Sequence, residues 1–271
     1  MRILVTGATG YIGGRLVPKL LEAGHAVRVM SRQPRNLEHL PWYEDVEAVR
    51  ADVLDPESLP HALDGIDVAY YLIHSMSDSD ESFAERDKRA ARNFGQAAQE
   101  AGVGRVIYLG GLGNEEKGEL SPHLRSRHET GEVLRASGVP VTEFRAAIIV
   151  GSGSVSFEMV RYLTERLPVM VTPRWVGTRC QPIAIRDVLA YLVDALEEPD
   201  SKGKIVQIGG ADVLTYREMM MQYAEVRGLR RFMLPVPVLT PSLSSHWVNV
   251  ITPIPSDIAR PLIEGLTSEV V

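Results

Sequence analysis

The spacing of apolar residues divides the first half of the chain into alternating short strands and longer helices. The strands that it predicts are residues 2–6, 27–31, 46–51, 68–73, 105–109 and 141–150. Several of these runs are almost uninterrupted in apolar residues, which is typical of strands covered on both faces of a parallel sheet. Because helical segments lie between the strands, the pattern predicts an α/β fold, a doubly wound parallel sheet with crossover helices.

Helical periodicity and end signals place the helices between these strands. The predicted segments are 16–23, 55–63, 81–101 and 121–137. The third is followed by Gly102, a residue type that favours a helix C-terminus. The fourth opens on Ser121 and Pro122, which are typical of a helix N-terminus. Pro18 lies inside the first helix, where it removes one backbone hydrogen bond.

Beyond residue 150 the alternation is less regular. Helices are predicted over 155–166, 185–196 and 216–227, and strands over 169–171 and 204–208. Neither an internal repeat nor a flexible linker separates the two halves. We therefore expect one integrated unit over residues 1–271, with the core of the doubly wound sheet in 1–150. Residues 151–271 would mostly form a small C-terminal lobe, with strand and helix elements that return to the core.

The turn after the first predicted strand has the features of a phosphate-binding site. Gly7 permits a tight turn, Gly10 lets the backbone approach a phosphate, and Gly13 lets the following helix pack close to the sheet. The free N–H groups and the positive end of that helix would then face a pyrophosphate. The turn therefore predicts that residues 1–150 bind a dinucleotide. The other turn residues assigned to the cofactor site are Thr9, Tyr11 and Ile12.

The residues after the second predicted strand favour NADP(H) over NAD(H). An NAD enzyme places Asp or Glu about 20 residues beyond the glycines, where the carboxylate accepts hydrogen bonds from ribose hydroxyls. Here Ser31 and Arg32 occupy that position, with Arg35 close by. A guanidinium matches the geometry of a 2′-phosphate. The alternative is that both arginines are solvated loop charges.

Later strand ends supply the remaining cofactor contacts, because ligands of doubly wound sheets bind at the carboxyl ends of the strands. Asp52 follows the third strand and would either accept a hydrogen bond from the adenine amine or cap a turn. His74 follows the fourth strand and is interpreted as a polar pocket residue rather than a catalyst. The further contacts assigned by this rule are Val53, Leu72, Ile73 and Gly110.

Charge and cysteine content restrict the partners and the compartment. Twenty-nine Lys and Arg residues against 35 Asp and Glu give a net charge of −6 without a basic stripe, which argues against a nucleic-acid partner. The single cysteine, Cys180, excludes an internal disulfide and is interpreted as a small buried residue. The first strand begins at Arg2, which leaves no room for a signal peptide, and no apolar run is long enough to span a bilayer. We predict a cytoplasmic protein without a metal site; its oligomeric state stays open.

Residues 232–256 form a distinct segment that contains no Asp, Glu, Lys or Arg. Its prolines would interrupt a membrane-spanning helix repeatedly. They are Pro235, Pro237, Pro241, Pro253 and Pro255. We interpret the segment as irregular, partly buried chain in preference to a contact with a membrane surface.

The glycine turn Thr-Gly-Ala-Thr-Gly-Tyr-Ile-Gly resembles that of the atypical and extended short-chain dehydrogenase/reductases. Residues 69–76, 108–113 and 168–187 are similar to the bacterial NAD(P)H-binding, nucleoside-diphosphate-sugar-epimerase-like branch, which is related to the NmrA-like proteins. The resemblance implies a Rossmann fold, an NADP-type cofactor and a smaller C-terminal substrate lobe.

The chemistry of that superfamily uses a Tyr-x-x-x-Lys pair and a Ser or Thr at the end of the fifth strand, and this chain departs from all three. His123 stands at the tyrosine position, Arg127 at the lysine position, and Gly110-Gly111 where the serine would be. A histidine with a pKa of about 6.5 can donate a proton to a carbonyl. Arg127 can hold ribose hydroxyls but cannot relay protons. We assign both as candidate catalytic residues; the alternative is a polar residue at a helix start and a solvent-facing charge.

Two functions stay open at this point. The first is an NADPH-dependent oxidoreductase that acts on a small, largely apolar carbonyl or quinone-type substrate. The alternative is a non-catalytic NADP(H)-binding sensor or scaffold, as the NmrA-like resemblance implies, and an accessory role at a respiratory membrane complex is a third reading by analogy. The residues expected on the substrate side are Gly111, Leu112, Asn114, Ile149, Phe157, Met159, Trp175, Gln181, Met219 and Trp247.

Overall fold

The computed structural model of the chain describes residues 1–74, 83–113, 120–236, 265 and 268–271. Asn114 and Trp247, predicted on the substrate side, and the first two residues of the helix predicted over 81–101 lie outside the described residues.

Seven parallel strands form the central sheet. The strands of the described residues are β1 (Arg2–Thr6), β2 (Ala26–Ser31), β3 (Glu47–Arg50), β4 (Val68–Tyr71), β5 (Arg105–Gly111), β6 (Val141–Ala146), β7 (Ile149–Val150), β8 (Val169–Thr172), β9 (Arg179–Cys180), β10 (Ile183–Ala184), β11 (Ile205–Ile208), β12 (Leu214–Thr215) and β13 (Phe232–Pro235). The central sheet has the order β11-β6-β5-β4-β1-β2-β3, and every neighbouring pair is parallel. The chain runs outward from β1 to β3 and then restarts on the other side of β1 at β4, so the predicted doubly wound topology is confirmed.

Helices cover both faces of this sheet. They are α1 (Gly13–Glu22), α2 (Leu59–Leu63), α3 (Phe83–Glu100), α4 (Pro122–Ala136), α5 (Val155–Arg166), α6 (Ile185–Asp194) and α7 (Tyr216–Val226). Side chains alternate between the faces along β1: Ile3 and Val5 pack in the cluster that contains α1 and α6, and Leu4 packs in the cluster that contains α2, α3 and α4. The sheet is therefore buried on both sides, as its apolar strands predicted.

Strand ends differ from the prediction where side chains or neighbouring strands redirect the chain. β4 ends at Tyr71, two residues early, because the N–H of Leu72 donates to the hydroxyl of Thr6 at 2.9 Å instead of to a strand carbonyl. β5 continues two residues further, through Gly110 and Gly111, because both pair with β6. The single strand predicted over 141–150 is wrong: it breaks after Ala146, and β7 pairs with β10 outside the central sheet.

Pro18 has a compensating partner. Proline lacks the N–H that would bond the carbonyl four residues earlier, and in α1 that carbonyl belongs to Gly14. The indole Nε1–H of Trp42, a buried residue beyond β2, donates to this oxygen at 3.2 Å. The missing helix bond is thus replaced by a tertiary one that ties the loop before β3 to α1.

The second half of the chain returns to the core and also builds a smaller lobe. β11 adds to the sheet edge beside β6, and α6 packs against α1. The lobe has its own apolar cluster, in which Cys180 is fully buried as predicted. The interpretation of residues 232–256 as irregular is wrong at its start, since Phe232–Pro235 form β13, paired with β8, and Phe232 is 67% exposed. Residues 237–256 of that segment lie outside the described residues.

None of the helices in the described part of the chain combines the length and the apolar character that crossing a bilayer requires.

Candidate functional site

The glycine turn lies where the winding of the sheet changes direction, between β1 and β4. Gly7 has a φ of 67°, a left-handed conformation, and a Cβ there would stand 2.6 Å from the carbonyl oxygen of Leu72. The N–H of Gly10 donates to the carbonyl of Gly7 at 2.9 Å, which closes the turn. A Cβ on Gly13 would overlap with that same carbonyl. Each glycine therefore meets a steric requirement, and the turn leads directly into α1.

A cleft of about 870 Å³ opens at the carboxyl ends of β1 to β4. Ten of the predicted cofactor residues line it. They are Gly7, Thr9, Gly10, Ser31, Arg32, Asp52, Val53, Leu72, Ile73 and His74. The structure thus brings together contacts that are separated by more than 60 positions in the sequence.

Six predicted cofactor residues lie outside the wall of this cleft. Tyr11 packs beneath the guanidinium of Arg15, whose Cζ is 4.1 Å from the ring centroid, and Ile12 packs against the core. Gly13 is buried at the start of α1, and Arg35 is exposed in the short helix Pro34–Leu37. The remaining two, Gly110 and Arg127, lie at the end of β5 and beside it on α4.

Positive charge enters the cleft from three elements. Arg32 follows β2, Arg50 ends β3, and Arg86 lies in the first turn of α3. The sequence did not identify the last two: Arg50 was placed inside the strand predicted over 46–51, whereas the observed strand ends at Arg50. Two further polar residues that it missed are Gln33 and Asn36.

Asp52 is the single carboxylate on the described wall of the cleft, and its side chain is engaged locally. Its Oδ1 accepts from the N–H of Leu54 at 2.9 Å, which is a turn cap. Of the two roles expected for Asp52, the structure shows this one. The hydroxyl of Ser31 likewise accepts from the N–H of Gln33 at 3.2 Å. Local hydrogen bonds of Asp52 and Ser31 therefore fix the conformation of the cleft wall, and the arginines give it positive charge.

This combination fits a dinucleotide. The cradle is so close-packed that a Cβ on Gly7 or Gly13 would fill it, and the helix start at Gly13 favours a pyrophosphate. Arginines at the far wall suit phosphate oxygens, which they can bind with two N–H groups.

His123 and Arg127 both lie in the first turns of α4, as expected, but they point to different partners. The Nη2 of Arg127 donates to the carbonyl of Leu109, and its Cζ lies 5.7 Å from the ring centroid of Tyr108. Arg127 is therefore held against the end of β5. Close by, the ring Nε2 of the buried His128 lies 3.0 Å from the carbonyl oxygen of Gly111.

His123 contacts His74 from the end of β4. The Nδ1 of His123 lies 3.2 Å from the Nε2 of His74, and the Nδ1 of His74 lies 2.8 Å from the Oδ2 of Asp87 on α3. Asp87, thirteen residues away in the sequence, therefore orients the ring of His74. Asp87 is itself only 4% exposed.

Burial shifts both imidazoles toward the neutral form. It lowers the pKa of His123 to about 3, with further lowering by His74 and Arg127. It also lowers the pKa of His74, although the hydrogen bond to Asp87 acts in the opposite direction. His123 therefore carries no charge at neutral pH, unlike the histidine of ordinary pKa assumed from the sequence.

The expected substrate-side residues differ in their surroundings. Met159, Trp175 and Met219 are buried in the cluster of the C-terminal lobe and serve as core. Gln181 is held by a 2.7 Å bond to the carbonyl of Gly210, and Phe157 packs edge-on against Tyr223. Gly111 ends β5, Leu112 is buried after it, and Ile149 in β7 is partly buried against the main core.

Comparison with known proteins places the chain in a family. The NAD(P)H-binding family matches residues 7–171, more than half of the chain. A (4-alkanoyl-5-oxo-2,5-dihydrofuran-3-yl)methyl phosphate reductase of Streptomyces griseus is 30% identical over 83% of this chain and 74% of that enzyme. In seven further curated relatives the match covers between 30% and 64% of the relative's own length.

Two solved structures share the fold. The Citrobacter sp. triphenylmethane reductase complexed with NADP(H) superposes with a TM-score of 0.76 over 100% of this chain and 91% of that one, at 22% identity. An NADPH-dependent quinone oxidoreductase from Escherichia coli, complexed with NADPH, gives 0.75 over 98% and 88%, at 19% identity. With the glycine turn, the doubly wound sheet and the family match in agreement, this chain belongs to the NAD(P)H-binding family and has a Rossmann fold.

Proposed function

We propose that this protein is an NADP(H)-dependent oxidoreductase that acts on a small, largely apolar carbonyl or quinone-type substrate. The observation that carries the proposal is the cleft itself, which joins a cationic wall after β2 to a histidine after β4. Arg32 at one end suits a 2′-phosphate, and His74 at the other touches His123, the residue at the position of the family's catalytic tyrosine.

The relatives support the same activity class. The Streptomyces griseus protein is a reductase, the Citrobacter protein was solved with NADP(H), and the Escherichia coli protein is an NADPH-dependent quinone oxidoreductase. The last two names also suit an aromatic, apolar substrate.

Cofactor choice is tested by titrating the purified protein with NADPH and NADH and following binding by fluorescence. We expect tighter binding of NADPH, and Arg32→Gln should weaken it by about tenfold or more while NADH binding stays unchanged, since one charge-assisted contact is lost. Arg92→Gln, which neutralises an exposed cation on α3, is the matched control. Equal affinities of the unmodified protein for the two dinucleotides would exclude NADP(H) preference.

Catalysis is tested separately, by following NADPH oxidation with a panel of ketones, aldehydes and quinones. We expect turnover that His123→Ala abolishes. Tight NADPH binding with no turnover of any compound would contradict the oxidoreductase proposal and favour the sensor or scaffold function.

A further inference from the structure

Three polar side chains from separate elements are linked in series by hydrogen bonds beside the cleft. Asp87 comes from the second turn of α3, His74 from the end of β4 and His123 from the first turn of α4. The two imidazole rings meet edge-on, with centroids 4.8 Å apart at 71°. The side chain of His74 is 16% exposed and lines the cleft, whereas that of Asp87 is 6% exposed. The hydrogen-bonded series therefore starts at a buried carboxylate, reaches the cleft at its middle member, His74, and ends at His123 beside it.

The chemistry of the three groups decides the direction of the hydrogen bonds. A carboxylate can only accept, so the Nδ1 of His74 must carry a proton and donate to Asp87. In a neutral imidazole the other nitrogen is then an acceptor, so the Nδ1 of His123 must donate to the Nε2 of His74. This leaves the Nε2 of neutral His123 as an unprotonated nitrogen at the end of the series.

The charged and titratable groups around the pair come from every neighbouring element. Asp87 faces it from α3, Arg127 from α4, and the phenols of Tyr71 and Tyr108 lie near the carboxylate from β4 and β5. The hydroxyl of Ser126 on α4 also donates to the Oδ2 of Asp87 at 3.5 Å. The net result is a lowered pKa for both histidines, so the neutral pair is the resting form at neutral pH.

We propose that Asp87, His74 and His123 are a proton relay for the interconversion of a hydroxyl and a carbonyl group. His123 is the group that meets the substrate oxygen, and Asp87 and His74 are positioning residues that fix its tautomer and exchange its proton. The proposal rests on the proposed function, and it narrows the substrate class to alcohols and their ketones or aldehydes.

In the direction of oxidation, the Nε2 of His123 takes the proton of the substrate hydroxyl, so an O–H bond breaks and an N–H bond forms. At the same time the Nδ1 proton of His123 passes to the Nε2 of His74. His74 becomes an imidazolium paired with Asp87, which stays a carboxylate. A dinucleotide bound in the cleft would supply the redox chemistry as the acceptor of the hydride from carbon. For reduction the resting pair first takes one proton from solvent at the Nε2 of His123, and the Nδ1 proton of His123 passes to His74. The Nε2 of His123 then gives its proton to the substrate oxygen, and the proton of His74 returns to the Nδ1 of His123.

The tautomers give a test that needs no turnover. Long-range ¹H–¹⁵N NMR at pH 7 reports which ring nitrogen of each histidine is protonated. We expect Nδ1–H for both His74 and His123 in the unmodified protein. We expect His74→Leu to shift His123 toward Nε2–H, because leucine removes the acceptor of the Nδ1 proton. His61→Leu, which changes an exposed histidine of α2, is the control. Unprotonated Nδ1 on either ring of the unmodified protein, or a His123 signal that ignores His74→Leu, would overturn the relay.

Kinetics then separate this proposal from the proposed function. His74→Gln and Asp87→Asn should each lower kcat for carbonyl reduction by about a hundredfold, within the range of general acid–base catalysis. The Kd for NADPH should stay unchanged in Asp87→Asn, because Asp87 lies outside the wall of the cleft. If the unmodified protein turns over carbonyls and these variants match it, the relay fails and the oxidoreductase stands. If it binds NADPH and turns over nothing, the oxidoreductase fails, and the NMR result alone decides whether the hydrogen-bonded series exists.

Discussion

At the scale of single residues, His123 lies at the start of α4 as the sequence predicted, but its pKa differs from the value assumed there. The sequence identified His123 because it stands at the tyrosine position of the Tyr-x-x-x-Lys pair of the superfamily that the chain resembles. That spacing is a local feature of the sequence. The pKa of His123, about 3, comes from burial and from His74 and Arg127, groups that only the fold brings near. The same residue that looked suited to donating a proton at neutral pH is thus an acceptor there.

This shift predicts a pH dependence of stability. Because the folded-state pKa of His123 lies below the unfolded value of about 6.5, the unfolded chain binds more protons below that pH. The free energy of unfolding should therefore fall as the pH decreases from 6.5, by up to about 1.4 kcal/mol per pH unit for this one proton. His123→Gln should flatten the slope between pH 6.5 and 5 in urea unfolding, and His61→Gln should leave it unchanged. An equal slope in His123→Gln would refute the shift.

Asp87 shows what residue-level reading could have found. On α3 the buried positions include Asp87, Ala91 and Phe94, so a carboxylate occupies the apolar stripe of the helix. An ionisable group on a buried helix face requires a partner, and that requirement is visible in the sequence. The identity of the partner is not, since His74 follows a strand and approaches α3 only through the fold.

At the scale of elements, helix α1 depends on a bond from outside itself. Trp42→Phe should remove the donor to the Gly14 carbonyl and lower the free energy of unfolding by about 1 to 3 kcal/mol, the cost of a buried acceptor left unpaired. Pro18→Ala should recover part of that loss, because an alanine at this position would supply the helix N–H itself. Urea unfolding of the two single variants and the double variant measures the coupling. Strict additivity would show that the indole bond does not replace the missing helix bond.

Helix α4 is positioned by a glycine that faces a buried ion cluster. Glu143 on β6 is fully buried, its Oε1 lies 2.6 Å from the Nε of Arg145, and its other oxygen is paired with Arg135. A Cβ on Gly131 would overlap with that carboxylate, so α4 approaches β6 only because residue 131 has no side chain.

We expect Gly131→Ala to destabilise the fold by about 1 to 3 kcal/mol through overpacking, and to shift His123 and Arg127, which lie on the same helix. Thermal unfolding and NADPH oxidation should both respond. Gly177→Ala is the matched control, because a Cβ there would meet nothing within 4 Å. An unchanged melting temperature for Gly131→Ala would mean that the ion cluster gives way, contrary to this account.

At the scale of the whole molecule, the residues that match the family end before the residues that complete the folded core. The match ends at residue 171, yet β11 completes the sheet beside β6, and α6 supplies Val188, Leu189 and Leu192 to the main core. A polypeptide of residues 1–171 would expose that core face and an unpaired sheet edge. The boundary between matched and unmatched residues is therefore not a boundary of folding.

We predict that the polypeptide of residues 1–171 does not unfold cooperatively, whereas the full chain shows one urea transition. Circular dichroism and tryptophan fluorescence should give coincident curves for the full chain, which would support one integrated unit. A sharp transition in the shorter polypeptide would instead support an independent core in residues 1–150 and a separate lobe.

The sequence by itself determined the strand and helix pattern, the parallel α/β class and the glycine turn, because these depend on local periodicity and on backbone sterics that neighbouring residues set. It also marked the ends of β1, β2 and β4 as ligand contacts, through a general rule of doubly wound sheets. The tertiary structure alone decided that Arg50 and Arg86 share the cleft with Arg32, that Met159 and Trp175 are core, and that Asp87, His74 and His123 touch. Those outcomes depend on which helix covers which strand. They are therefore decided by packing between residues far apart in the chain, which the local pattern of apolar and polar residues does not indicate.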